Sequence, residues 1–106
     1  MISERDAAVD QLWEAHRNAL FPERLRYDDV AGVDMVLLDA SIAGCVSTWL
    51  NEAVDLDDWR RGILAACERD LGVALPTLSG QEATYCQRLL EMTVLILRSL
   101  DDRSPG

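Results

Sequence analysis

Apolar residues recur along this chain at intervals of three and four, and nowhere do they alternate at every second position. That periodicity matches the 3.6-residue turn of an α-helix and leaves no stretch that reads as a half-buried strand. The Asn-Gly and Asp-Gly pairs that mark tight hairpins are also missing. A chain patterned in this way has to bury helical stripes against one another. With 106 residues it can build one core and not two.

The first stripe is Val9, Leu12, Trp13, His16 and Leu20, which predicts a helix over about 4–20. Ser3 stands where it can cap the first amides, with Asp6 in the reciprocal position. Phe21-Pro22 ends the helix, because the residue before proline is pushed away from helical angles. Residues 21–33 read as the longest irregular connection, with a short turn after Pro22.

The second helix is expected over about 34–54. Met35, Leu38, Ile42, Cys45, Val46, Trp49 and Leu50 cover most of its circumference, and Asp34, Ser41, Thr48 and Glu52 form a narrow polar stripe. So wide an apolar arc predicts the most buried helix of the protein. Ala40, Ala43 and Gly44 would admit a neighbouring backbone at close range.

The third helix is expected over about 56–75, capped by Asp55, with Asp57 and Asp58 in the first turn where the helix dipole favours anions. Trp59, Ile63, Cys67, Leu71 and Leu75 make its ridge, and Pro76 stops it. Ser79-Gly-Gln-Glu82 has the form of a capping box and opens a fourth helix over about 80–100. Cys86, Leu89, Thr93, Ile96 and Leu100 line one face, and residues 101–106 are expected to form a frayed tail. Four helices and mostly short connections predict an all-α, mostly antiparallel four-helix bundle comprising a single domain, 1–106.

Charge narrows the functional classes. Nineteen carboxylates against ten basic residues give a net charge of -9. No segment of the chain is basic. Nucleic acid and anionic membrane both require a cationic surface, so neither is an expected partner. Every basic residue is Arg, a bias that suits a GC-rich bacterial genome and implies no mechanism.

Cys45, Cys67 and Cys86 are odd in number, far apart and inside predicted helices. They read as buried free thiols rather than a disulfide framework or zinc site, which points to a reducing cytoplasm. The opening residues lack the basic and apolar run of a signal peptide, and no apolar stretch reaches membrane-spanning length.

Chemistry-bearing groups are few. His16 is the single histidine and lies within the first apolar stripe. Projection of the second helix places Asp39 among Met35, Ile42, Val46 and Leu50, where a carboxylate has to be paired or protonated. Its possible partners are an arginine such as Arg26, a tryptophan N–H, or His16. Were His16 and Asp39 to meet, they would form a small polar site, with Tyr27, Cys45 or Tyr85 as further lining residues. Sites of that kind are more often structural locks than catalytic centres.

No Ser/His/Asp or Cys/His arrangement, Gly-rich phosphate loop, calcium loop or Glu-x-x-His pair is present. No cofactor or metal is therefore expected, and one imidazole with scattered acids makes a poorly selective metal site. These features favour a non-enzymatic protein–protein interaction module over an enzyme, a homodimer through the fourth helix whose acidic surface could engage a basic protein partner, as in an immunity-like role. Candidate interface residues are Trp59, Met92 and Leu95. Leu95 projects among Arg88, Glu91 and Arg98, and with Met92 and Val94 it gives the fourth helix more apolar surface than one side must bury. Trp59, beside Arg60 and Arg61, is the best surface anchor of the three tryptophans, although a core position is favoured. The alternative is a ligand-binding or catalytic bundle built around His16 and Asp39.

Overall fold

The computed structural model describes residues 4–52 and 56–103. They form five α-helices: α1 (Glu4–Asn18), α2 (Arg24–Tyr27), α3 (Met35–Glu52), α4 (Asp58–Ala74) and α5 (Gly80–Arg103). A single 3-10 turn, Leu75–Thr77, joins the last two. The fold is all-α, and the four long helices run up and down as a bundle. Arg5 of α1 pairs with Asp102 of α5, while His16 at the other end of α1 meets Tyr85. Arg61 near the start of α4 likewise holds Asp101 near the end of α5.

The spine of the bundle is α5. It packs against α1, α3 and α4, whereas α1 and α4 do not touch each other. Tyr85, Cys86, Leu89, Met92, Thr93, Ile96, Ser99 and Leu100 are all buried on it. This arrangement corrects the sequence expectation of a free apolar face on that helix. Met92 is wholly buried, and Leu95 is half-buried against the core. The wide apolar arc is consumed inside the monomer, because a spine is covered on several sides.

The C-terminal end of α5 also departs from expectation. Asp101 and Asp102 lie in its last turn rather than in a frayed tail. Carboxylates there oppose the helix dipole. Arg61 and Arg5 reach across from α4 and α1 to offset that repulsion.

Each remaining boundary has a local cause. Helix α1 stops two residues early, where the Ala19 N–H donates to the His16 carbonyl in a tightened last turn. Leu20 is therefore exposed rather than part of the stripe. The expected Ser3 cap lies outside the described residues, as does the Asp55 cap. Asp57 caps α4 instead, its carboxylate accepting the Arg60 N–H at 2.8 Å. Asp34 caps α3 by accepting the Leu37 N–H at 3.0 Å.

The expected capping box at Ser79 gives way to a longer-range contact. Gly80 has a φ of +58, and both oxygens of Glu82 accept from Arg24, at 2.9 and 2.7 Å. A bidentate pair with a planar guanidinium is a strong competitor for a carboxylate, and it ties α2 to the start of α5.

Within the long connection, α2 buries Leu25. Val30 and Val33 then exchange both backbone hydrogen bonds, at 3.0 and 2.8 Å, around Ala31 and Gly32. Both central residues have positive φ, 51 and 81, the geometry of a type I′ turn. Gly32 adopts it without strain; Ala31 does not.

Helices α3 and α4 are rotated relative to their predicted faces. Met35, Leu38, Ile42, Cys45, Val46 and Trp49 of α3 are buried as expected. Its solvent face, however, runs through Val36, Leu37, Ala40, Gly44 and Asn51 rather than through Ser41 and Thr48, which are half-buried. On α4 the buried ridge is Leu64, Cys67, Leu71 and Ala74. Trp59 is 71% exposed. It stands in the first turn with the Arg60 guanidinium 5.9 Å from its ring centre, so the favoured core position does not hold.

Candidate functional site

His16 and Asp39 meet, and Tyr85 closes the group. His16 comes from the last turn of α1, Asp39 from the second turn of α3, and Tyr85 from the second turn of α5. The His16 Nε2 lies 2.9 Å from Asp39 Oδ1, and the Tyr85 hydroxyl donates to that same oxygen at 2.8 Å. Tyr85 Oη also lies 3.2 Å from His16 Nε2. One arrangement of protons satisfies all three distances: Nε2–H is shared between the carboxylate and the phenol oxygen, and the phenol proton goes to the carboxylate.

Aromatic rings surround these bonds. The His16 and Tyr85 ring centres are 4.6 Å apart, and Trp13 stacks near His16 at 6.0 Å. Phe21 meets Tyr85 edge-on at 5.5 Å. His16 and Tyr85 are each only 6% exposed, whereas Asp39 keeps 24% of its side chain in contact with solvent. Burial, reinforced by the adjacent Asp39 carboxylate, pushes the Tyr85 phenol far above its ordinary range, so it remains a proton donor at any physiological pH.

Three long helices are thus joined at one carboxylate oxygen. Arg26, the arginine suggested for Asp39, and the suggested lining residues Tyr27 and Cys45 lie elsewhere. Arg26 sits 5.8 Å from the Phe21 ring centre, Tyr27 is exposed, and the Cys45 thiol donates to the Arg60 carbonyl at 3.8 Å. The sequence signal for Tyr85 is its spacing. Tyr85, Leu89, Met92 and Ile96 follow the 4, 3, 4 rhythm of a buried helical face.

Chemically, the cluster is closed. A histidine acting as general base needs a ring nitrogen free to face a substrate. The Nε2 of His16 is engaged by Asp39 and Tyr85, and Nδ1 is buried without a hydrogen-bond partner. The arrangement fixes helix register; it presents no reactive atom to solvent except the outer part of Asp39.

The thiols are inert for a related reason. Burial raises Cys67 and Cys86 to about 11, and shifts Cys45 upward as well. All three are buried and free. Among the described residues, no group of three or more His, Cys, Asp or Glu side chains is placed to hold a metal ion. No helix among them is long and apolar enough to cross a membrane. Comparison with known protein families, curated proteins and solved structures finds no match to this chain.

Proposed function

We propose that this protein is a non-enzymatic interaction module whose partner is a second copy of itself, paired through the outer face of α3. The observation that carries this reading is that Val36 and Leu37 are 46% and 64% exposed on a face that continues through Ala40 and Gly44. Between Met35 and Asn51 the chain has no charged residue other than Asp39, and Asp39 is turned inward to His16 and Tyr85.

Charge selects the occupant. A chain of net charge -9 repels its own copies wherever carboxylates meet. The outer face of α3 lets two copies touch without opposing like charges. A two-fold pairing places the same patch on both sides, with Leu37 packing across the axis, and Ala40 and Gly44 let the two helices approach closely. An added Cβ at Gly44 would meet nothing within 4 Å in the monomer, so the space beside it is open to a partner. The closed state of the His16 cluster supports the non-enzymatic side of the proposal, and three buried free thiols suit a reducing cytoplasm.

Sedimentation equilibrium tests the reading. The expected species has twice the 11.8 kDa chain mass, and Leu37→Glu, placing a carboxylate in each copy at the axis, should return it to a monomer. A wild-type chain that stays monomeric through the micromolar range refutes self-pairing. A dimer unaffected by Leu37→Glu refutes this face.

A further inference from the structure

An open cleft of about 430 Å³ lies between α1, the 3-10 turn and the first half of α5, away from the outer face of α3. Its lining combines apolar Leu12, Leu75 and Ala83 with polar Thr84, Gln87, Arg88 and Glu91. Neither His16, Asp39 nor Tyr85 lines it. The size falls within the range of small-molecule sites, and a few polar groups among apolar ones are their usual composition.

Arg88 separates this cleft from ordinary surface relief. Arg5, Arg17, Arg24, Arg60 and Arg61 each hold a carboxylate in an ion pair. Among the described residues, Arg88 makes no such pair, although carboxylates outnumber arginines in the chain. It is nevertheless half-buried, and its Nη1 is fully covered with no acceptor. A guanidinium cannot shed its proton, so partial burial without an ion-pair partner is unfavourable.

We infer that this cleft is a binding site for a small monocarboxylate with a branched apolar body, its carboxylate held by Arg88 and its hydrocarbon resting on Leu12 and Leu75. Nη1 is covered by the protein, and the remaining N–H donors of the guanidinium can make charge-assisted hydrogen bonds to a carboxylate. A multiply charged phosphate fits poorly, because Arg88 is the only cation lining the cleft among the described residues and Glu91 lines it too. The Gln87 amide can donate a further hydrogen bond to the ligand. Occupancy would give a carboxylate to Arg88, which has no ion pair among the described residues.

The test is an amide-resolved NMR titration of the full chain with isovalerate, run beside its neutral analogue isovaleramide and inorganic phosphate. Saturable shifts confined to Leu12, Ala83, Gln87 and Arg88 with isovalerate alone are expected. Arg88→Gln should weaken binding by at least about tenfold, the typical worth of a hydrogen bond to a charged group. Non-saturating shifts, or equal shifts with isovaleramide, overturn the assignment on the wild-type chain without any variant. If phosphate binds as well as isovalerate does, the carboxylate class is wrong. Glu91→Gln is the second variant, and it should tighten isovalerate binding; weaker binding would contradict the role given to Glu91.

Discussion

Replacing Asp39 by alanine removes the one oxygen on which α1, α3 and α5 converge. Two hydrogen bonds disappear, from His16 Nε2 at 2.9 Å and from the Tyr85 hydroxyl at 2.8 Å. Each involves a charged acceptor, for which about 1.5–3 kcal/mol is typical. Asp39 keeps a quarter of its side chain in solvent, which argues for the lower end, or about 3 kcal/mol for the two. Part of this returns, because the imidazole and the phenol already lie 3.2 Å apart and can satisfy each other for about 1 kcal/mol. The net loss is about 2 kcal/mol. For a chain near 100 residues that is a fall in Tm of about 8–16 °C. Calorimetry or far-UV melting at neutral pH reads it directly. Tyr85→Phe supplies the control, since it keeps the ring that Phe21 and His16 contact and deletes only the hydroxyl. Both changes act on the same oxygen, so the double variant should lose clearly less than the sum of the two single losses. A fall of under about 2 °C for Asp39→Ala, or strict additivity with Tyr85→Phe, would show that the cluster does not hold the three helices together.

Three further outcomes follow from other parts of the fold. Ala31→Asn should raise stability by about 0.5–1 kcal/mol, because asparagine tolerates the positive φ that alanine adopts under strain in this turn; a lowered Tm would contradict the turn assignment. Glu82 is held below its ordinary range chiefly by its hydrogen bonds to Arg24, so its contribution is complete above the unfolded value of 4.5 and fades as pH falls through the lower folded value. The Tm difference between wild type and Glu82→Gln should accordingly be constant from pH 5 to 7 and shrink in acid. Cys67 and Cys86, raised to about 11 by burial, should resist thiol reagents at pH 8 until the chain unfolds, and their stabilising effect is full below the ordinary value of 9.0 and lost as pH climbs toward 11. Rapid labelling of the native chain would mean that the core opens far more readily than this packing allows.

The helical architecture was legible because periodicity and proline breaks are local, and a local signal survives without knowledge of the neighbours. Met35, Ile42 and Trp49 could be placed in the core from spacing alone. What spacing leaves open is the rotation of a helix by a fraction of a turn and the number of neighbours covering it. Met92 shows the second limit: its apolar arc is surplus only for a helix covered on one side, and α5 is a spine. Trp59 shows the first, since the ridge that sinks Leu64 and Cys67 carries the tryptophan out past the core.

Asp39 was legible as an anomaly, a carboxylate on a buried face, and His16 as one of its suggested partners, because burial of a charge demands compensation wherever it occurs. Tyr85 was harder to assign, since a tyrosine on an apolar face is unremarkable until something is known to need its proton. The same demand for compensation exposes Arg88, but only in three dimensions. In the sequence it is one arginine among ten, with Glu91 three residues on as an apparent partner; in the fold it is half-buried at the edge of an apolar cleft without an ion-pair partner among the described residues. Charge in need of a partner is thus the signal that crosses from sequence to site in this protein, and Asp39 and Arg88 meet that need differently. Asp39 is answered from within by Tyr85 and His16 and fixes structure, whereas Arg88 is left for something from outside.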